Sequence, residues 1–327
     1  MKYSYLGSTG IQVSQLCMGT MTFGNEADKT QSAAMFKRCR DAGINFFDCA
    51  NVYSQGKAEE ILGELMRDCR DELIITTKVW GKMGDDINSQ GSSRRNITAS
   101  VEASLKRLKT SHIDIYLLHR FDPFTPLEET LATMRDLVAQ GKVRYIGASN
   151  FAAWQLAKAL GISARCQYPS LKCIQPMYNL VKRTAEVEIL PFAQHENVAV
   201  ISYNPLGGGL LTGKYGKSIK SSSDRLSSNK MYGRRYGDEW MLDAALSYVE
   251  YARKSGYNPV SLAVAWAAAH PGVTAPIIGA RNVTQLDDSL RSMDVKMTDE
   301  LYSELCSLTP TPAPATDRTE DLPKEQM

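Results

Sequence analysis

The run Leu73-Ile74-Ile75-Thr76-Thr77-Lys78 is short, rich in β-branched residues and closed by a charge, and runs of the same kind flank it. Upstream, Ile44-Asn45-Phe46-Phe47-Asp48 closes on a carboxylate; downstream, Ile113-Asp114-Ile115-Tyr116-Leu117-Leu118-His119 closes on an imidazole. Runs of this composition read as strands. Helix-period segments lie between them at 57–69 and 96–108, and such alternation is the signature of a parallel sheet with crossover helices. Working outward, further strands are expected at 15–20, 143–148, 172–176, 198–203 and 275–279. Further helices are expected at 30–42, 127–140, 151–161, 184–195, 239–255 and 259–269. Eight such units predict an α/β fold closed as a (β/α)8 TIM barrel. The first dozen residues turn at Gly7-Ser8-Thr9-Gly10 and predict a β-hairpin ahead of the barrel. Three helix starts carry recognisable caps: Asn96 or Thr98 for the segment reaching Leu108, Asn258 before Pro259, and Asn282 to Thr284 before a last helix opening with Gln285, Asp287 and Asp288.

With 327 residues the chain fits one large barrel domain over 1–308, followed by a tail from Thr309 whose Thr-Pro-Thr-Pro-Ala-Pro composition predicts an extended or disordered segment. A hydrophobic fraction of 43% suits a sizeable core, and a net charge of +2 with scattered Lys and Arg does not point to nucleic acid as a partner. The seven cysteines show no C-x-x-C pair and no metal-finger spacing, as expected of reduced thiols. With no apolar signal core at the start and no membrane-length apolar run, the expectation is a soluble, cytoplasmic protein. Two loops are long: the Gly- and Ser-rich 80–95 and the basic, tyrosine-bearing 207–239. Loops of such length in compact domains are more often functional covers than accidents, so both are expected at the C-terminal face.

In a parallel barrel the C-terminal ends of all strands open on one mouth, so Asp48, Lys78 and His119 are expected to converge there, with Tyr53 five residues beyond Asp48. An ammonium beside a tyrosine stabilises its phenolate and is expected to lower its pKa. A carboxylate keeps the lysine charged and oriented, and an imidazole can hydrogen-bond a substrate oxygen. Together they suit protonation of an oxygen while a hydride moves at the adjacent carbon. The other histidines, His112, His195 and His270, fall in connections or near the opposite face. No His/Cys cluster has metal spacing, and no nucleophile elbow suggests hydrolysis.

At these residues the chain resembles the aldo-keto reductases, from roughly Tyr3 to Arg291. Besides Asp48 to Tyr53 and Thr76-Thr77-Lys78, the resemblance is carried by Gly19-Thr20-Met21, Glu59-Glu60-Ile61-Leu62-Gly63, Leu105-Lys106-Arg107-Leu108 and Leu117-Leu118-His119-Arg120. It continues through Gly147-Ala148-Ser149-Asn150-Phe151, Leu206-Gly207-Gly208-Gly209 and Gly279-Ala280-Arg281-Asn282. Each stretch is weak alone; their common order and spacing are strong. The resemblance implies a reductase of aldehydes or ketones, with Tyr53, Asp48, Lys78 and His119 catalytic. An alternative within it is a cofactor-binding regulatory or partner-binding subunit of the potassium-channel β type.

No G-x-G-x-x-G follows the first strand, so a Rossmann site is not expected. Barrels commonly bind phosphate after the seventh and eighth strands. Leu206, Gly207 and Gly208 follow one, and Gly279 and Arg281 follow the other. Arg281 can fork onto a 2′-phosphate, which favours NADP (as NADPH) over NAD. By resemblance, Tyr203 stacks on the nicotinamide, while Ser149, Asn150 and Gln175 hold its carboxamide. Asn150 also reads as a cap for the helix after it. Gly19, Thr20, Met21, Asp48, Asn204, Lys214, Arg225, Gln285 and Asp288 complete the implied cofactor contacts. Ser289 stands where many relatives carry asparagine, and Phe121 where proline is common. The substrate pocket is expected to draw on Phe23, Trp80 and Phe121, with Phe124, Trp154 and Tyr232 near it.

Overall fold

The computed structural model describes residues 1–215 and 230–321. Its strands and helices follow in the order β1 (Tyr3–Tyr5), β2 (Gln12–Ser14), β3 (Cys17–Gly19), α1 (Lys29–Asp41), β4 (Phe46–Asp48), α2 (Lys57–Leu65), β5 (Ile74–Val79), α3 (Arg94–Leu108), β6 (Ile113–Leu118) and α4 (Leu127–Ala139). They continue with β7 (Val143–Ser149), α5 (Ala153–Cys166), β8 (Leu171–Gln175), α6 (Ile189–His195), β9 (Ala199–Ser202), α7 (Lys230–Tyr236), α8 (Glu239–Lys254), α9 (Pro259–Ala269), β10 (Ala275–Ile278), α10 (Val283–Leu290) and α11 (Asp299–Ser307). β1 and β2 pair antiparallel as the expected hairpin. The other eight strands close a parallel barrel in the order β10-β3-β4-β5-β6-β7-β8-β9.

Two apolar layers hold the barrel together. Inside it, Cys17, Phe46, Ile115, Leu117, Cys173, Ala199, Ile201, Ala275 and Ile277 fill the lumen, and Leu6 and Val13 of the hairpin plug its N-terminal end. Outside it, the opposite strand faces meet the helices, as with Phe47, Ile75, Tyr116 and Leu118. Strand side chains alternate between faces, so residues two apart share one. Asp48 at the end of β4 and Thr76 and Lys78 in β5 therefore take lumen-facing positions, whereas Thr77 turns outward and donates to Glu59 at 2.5 Å.

Some helix ends differ from the sequence reading. Ser93, not Asn96 or Thr98, caps α3 by accepting from the Asn96 amide. The predicted 184–195 helix is a 3-10 turn at Thr184–Glu186 followed by α6. Pro191 explains the break, because proline lacks an amide and its ring excludes the carbonyl four residues back; it is tolerated only in a first turn. Helix α5 begins at Ala153 with Ala152 at the cap position, so Asn150 is not its cap. The caps at Asn258, with Pro259 in the first turn, and at Asn282 form as expected.

Candidate active site

The centre of the site is a buried ion pair. Lys78 is 0% exposed, and its ammonium donates to Asp48 Oδ2 at 2.7 Å, to the Cys49 carbonyl at 2.7 Å and to the Tyr53 hydroxyl at 3.2 Å. All three of its protons are thereby used. Asp48 is equally satisfied: Oδ1 accepts from Thr76 Oγ1 at 2.5 Å and from Gln175 Nε2 at 2.8 Å. β5 thus delivers both Lys78 and Thr76, two residues apart on one face. Thr20 Oγ1 donates to the Asp48 carbonyl at 2.9 Å and ties the end of β3 to the end of β4. Thr76 received no role from the sequence. Its signal was parity with Lys78, legible once the strand's inward face is known.

Tyr53 sits half-buried above this pair, with the His119 ring edge-on at 6.1 Å between centroids. Burial pushes the Tyr53 phenol up to about 12, outweighing the opposite pull of Lys78. The expected lowering by the ammonium does not prevail, because burial outweighs it and the Asp48 carboxylate pushes in the same direction as burial. Burial works against the charge on Lys78, yet Asp48 and Tyr53 raise its pKa. His119 is pushed down to about 3 by burial, with Lys78 and Arg120 acting in the same direction. At neutral pH the site therefore holds a protonated phenol, a charged lysine paired with a carboxylate, and a neutral imidazole.

A second set lines the same mouth. Asn150, at φ 56, donates to the His119 carbonyl at 3.0 Å and to Ser149 Oγ at 2.9 Å, and its amide oxygen accepts from the Tyr203 hydroxyl at 2.7 Å. Ser149 donates in turn to the Gln175 carbonyl at 2.9 Å. The four residues assigned to the nicotinamide by resemblance are thus joined in one network. Beyond β9, Asn204 donates to Tyr236 Oη at 3.4 Å, and Leu206 leads into Gly207, Gly208 and Gly209, all at positive φ. A Cβ at Gly208 would lie 2.7 Å from the Tyr232 ring, so glycine is required there.

At the third sector, Gly279 has no heavy atom within 4 Å of where a Cβ would point, which leaves its backbone open to a ligand. Gly19 packs against Ile277, and Met21 is exposed. Arg281 is exposed and lies 3.7 Å from Glu26, while its amide donates to Gln285 Oε1 at 3.1 Å. Asp288 accepts from Asn258 Nδ2 at 3.1 Å, linking α10 to the start of α9. Ser289 is buried. Lys214 is exposed with its ammonium 4.7 Å from the Tyr215 ring centroid. Arg225 lies outside the described residues.

Of the expected pocket walls, Phe121 packs on Phe151 at 5.4 Å and on Trp154 at 5.8 Å, and Trp80 lies half-buried under the Arg120 guanidinium. Phe23 is fully buried in the outer core, where the short loop after β3 folds its ring inward, and it offers no ring face to a ligand. A cleft of about 480 Å³ opens elsewhere, beside the N-terminal ends of β8 and β9. Its lining, including Gln167, Tyr168 and Lys172, assembles no acid–base set. Among the described residues no His/Cys/Asp/Glu group could hold a metal ion, and no helix is long and apolar enough to cross a membrane.

The family model for the aldo/keto reductases matches residues 15–309, the whole barrel and its last helix. The chain belongs to the aldo/keto reductase family. It is similar to an uncharacterized oxidoreductase, YrpG, of Bacillus subtilis, at 35% identity over 95% of this chain and 97% of that protein. It is also similar to a probable voltage-gated potassium channel subunit beta of Oryza sativa, at 36% identity over 90% of this chain and 92% of that protein. A versiconal hemiacetal acetate reductase of Aspergillus parasiticus shares 31% identity over 92% of this chain and 94% of that protein. Aldo/keto reductases are oxidoreductases that use nicotinamide cofactors and act on small carbonyl compounds.

Proposed function

We propose that this aldo/keto reductase interconverts an aldehyde or ketone and its alcohol with NADP(H), using Tyr53 as general acid and base. The observation that carries the reading is the contact of Lys78 Nζ with the Tyr53 hydroxyl, beside a histidine kept neutral by burial. A nicotinamide bound at the mouth supplies or accepts the hydride. In the direction of reduction, Tyr53 gives its proton to the carbonyl oxygen as negative charge develops there. An alkoxide is a far stronger base than a phenolate, so a phenol held near 12 remains a competent donor and stays protonated at neutral pH. Lys78, kept charged by Asp48, stabilises the phenolate left behind, and Thr76 and Gln175 keep Asp48 aimed at Lys78. His119 can donate a hydrogen bond to the same oxygen without competing as an acid.

The residues around the mouth fit a dinucleotide. Tyr203 offers a flat face for the nicotinamide, and Ser149, Asn150 and Gln175 offer its carboxamide partners. By resemblance, Gly19, Thr20, Met21 and Asn204 complete the contacts at that end. Leu206, Gly208 and Gly279 supply backbone amides for the pyrophosphate, with Lys214 as added positive charge, while the Gly207 amide donates to the Asn204 carbonyl at 2.9 Å and shapes the turn. Arg281 supports a preference for the 2′-phosphate of NADP, with NAD accepted less well, and Gln285 and Asp288 stand near the adenosine side. The unpaired state of all seven cysteines suits a cytoplasmic setting.

The channel-subunit relative supports a second reading, a cofactor-binding subunit whose role is to hold a partner. Retention of all four acid–base residues in contact favours the enzyme. The experiment is NADPH oxidation by the purified protein against a panel of aldehydes, ketones and sugars. Substrate-dependent turnover is expected. Tight NADPH binding with no turnover on any carbonyl would favour the partner-binding subunit instead.

A further inference from the structure

Arg120 directly follows His119 at the end of β6, and its guanidinium carbon lies 5.1 Å from the centroid of the Trp80 ring, just beyond β5. It therefore reaches across the strand ends that carry Lys78 and His119. On the far wall, Arg235 of α7 lies over Tyr203 at 5.9 Å and over Tyr232 at 5.6 Å. Neither guanidinium has a carboxylate partner among the described residues. The acid nearest in sequence, Asp122, is committed elsewhere: it accepts from the Ser92 and Phe124 amides and from Thr125 Oγ1. Lys78 is neutralised by Asp48, and His119 carries no charge at neutral pH. Among the described residues, Arg120 and Arg235 thus bring unneutralised positive charge, held over aromatic rings, to the mouth. Both Arg120 and Arg235 pull down the Tyr203 phenol, although its burial wins, so both fields reach the centre of the mouth.

A guanidinium stacked on an indole keeps its edge N–H groups free and loses little freedom when it forks onto a carboxylate. The lip beside Arg120 is apolar: Phe121 packs on Trp154, and Phe124 is 93% exposed. We propose that Arg120 is a specificity-determining residue that receives an anionic group of the substrate, so that the preferred substrates are carbonyl compounds with an apolar body and a carboxylate. This rests on the carbonyl-reductase reading above and names its substrate class.

The test compares 4-carboxybenzaldehyde with its uncharged methyl ester in wild type and Arg120→Met. In wild type, kcat/KM for the acid should exceed that for the ester by about tenfold or more, carried by KM and shrinking as salt is added. In Arg120→Met the acid-to-ester ratio should fall to about one. Calorimetric binding of 4-carboxybenzyl alcohol and benzyl alcohol to the NADPH-loaded protein, a pairing with no hydride acceptor, reads the same subsite without turnover. Tighter binding of the carboxylate in wild type, lost in the variant, supports the assignment even if neither aldehyde is reduced, which would count against the reductase reading alone. Equal handling of acid and ester by wild type, or an equal loss for both in the variant, would overturn it.

Discussion

His119 shows how far one residue's environment departs from what its letter implies. As the end of a β6 apolar run it was readable as a site residue, but its protonation state depends on burial and on Lys78 and Arg120, which no run of letters supplies. The same holds for Tyr53, whose burial reverses the direction expected from its lysine neighbour. The pH consequence for His119 follows from linkage. An unfolded histidine titrates near 6.5, whereas the folded one holds out to about 3, so between those values the unfolded chain binds the extra proton. Stability from this residue is whole above about pH 6.5 and is lost as pH falls toward 3. Urea unfolding at pH 7.5 and 5.5 should show wild type losing about 1 kcal/mol more than His119→Asn. An equal loss in both would mean that the imidazole is protonated in the fold. The pH profile of reduction should likewise show no ionisation from His119 near neutrality.

At the scale of elements, two of the stretches shared with the family turn out to touch each other. Glu59 of α2 is fully buried and accepts from Arg107 Nε of α3 at 2.7 Å and from Thr77 of β5. Gly63, one turn on, lets α2 approach the end of α3 so closely that a Cβ would lie 2.6 Å from the Arg107 carbonyl. These contacts brace the outer face of the strand whose inner face carries Thr76 and Lys78. Arg107→Met would leave a buried carboxylate without its cation and should cost roughly 3–5 kcal/mol in chemical denaturation, with much of it regained in the Glu59→Leu/Arg107→Met double variant. A loss under 1 kcal/mol would show the pair to be solvated. Strand and helix order was legible here because periodicity is local. The α3 cap at Ser93 and the break before α6 depended on which polar group reached which amide and on Pro191.

For the whole molecule, barrel closure follows from repeated strand–helix units, and closure alone brings Asp48, Lys78, His119 and Tyr203 to one mouth. The loops were less legible, because their side chains choose between core and lumen only after the barrel forms. Phe23 went to the core, and Arg281 lies near Glu26 across the loops after β3 and β10. If Arg281 receives the 2′-phosphate, Arg281→Ala should weaken NADPH binding by roughly 1.5–3 kcal/mol while NADH changes little, as read by fluorescence titration. Equal weakening of both would move Arg281 to the shared pyrophosphate or to the scaffold. The central claim is that Tyr53 is the proton donor, and the most direct measurement is the turnover of Tyr53→Phe with its cofactor affinity determined alongside. The ring and its packing stay while the proton goes, so kcat should fall by about 10²-fold or more with NADPH bound as tightly as before. Near wild-type turnover in that variant would contradict the account.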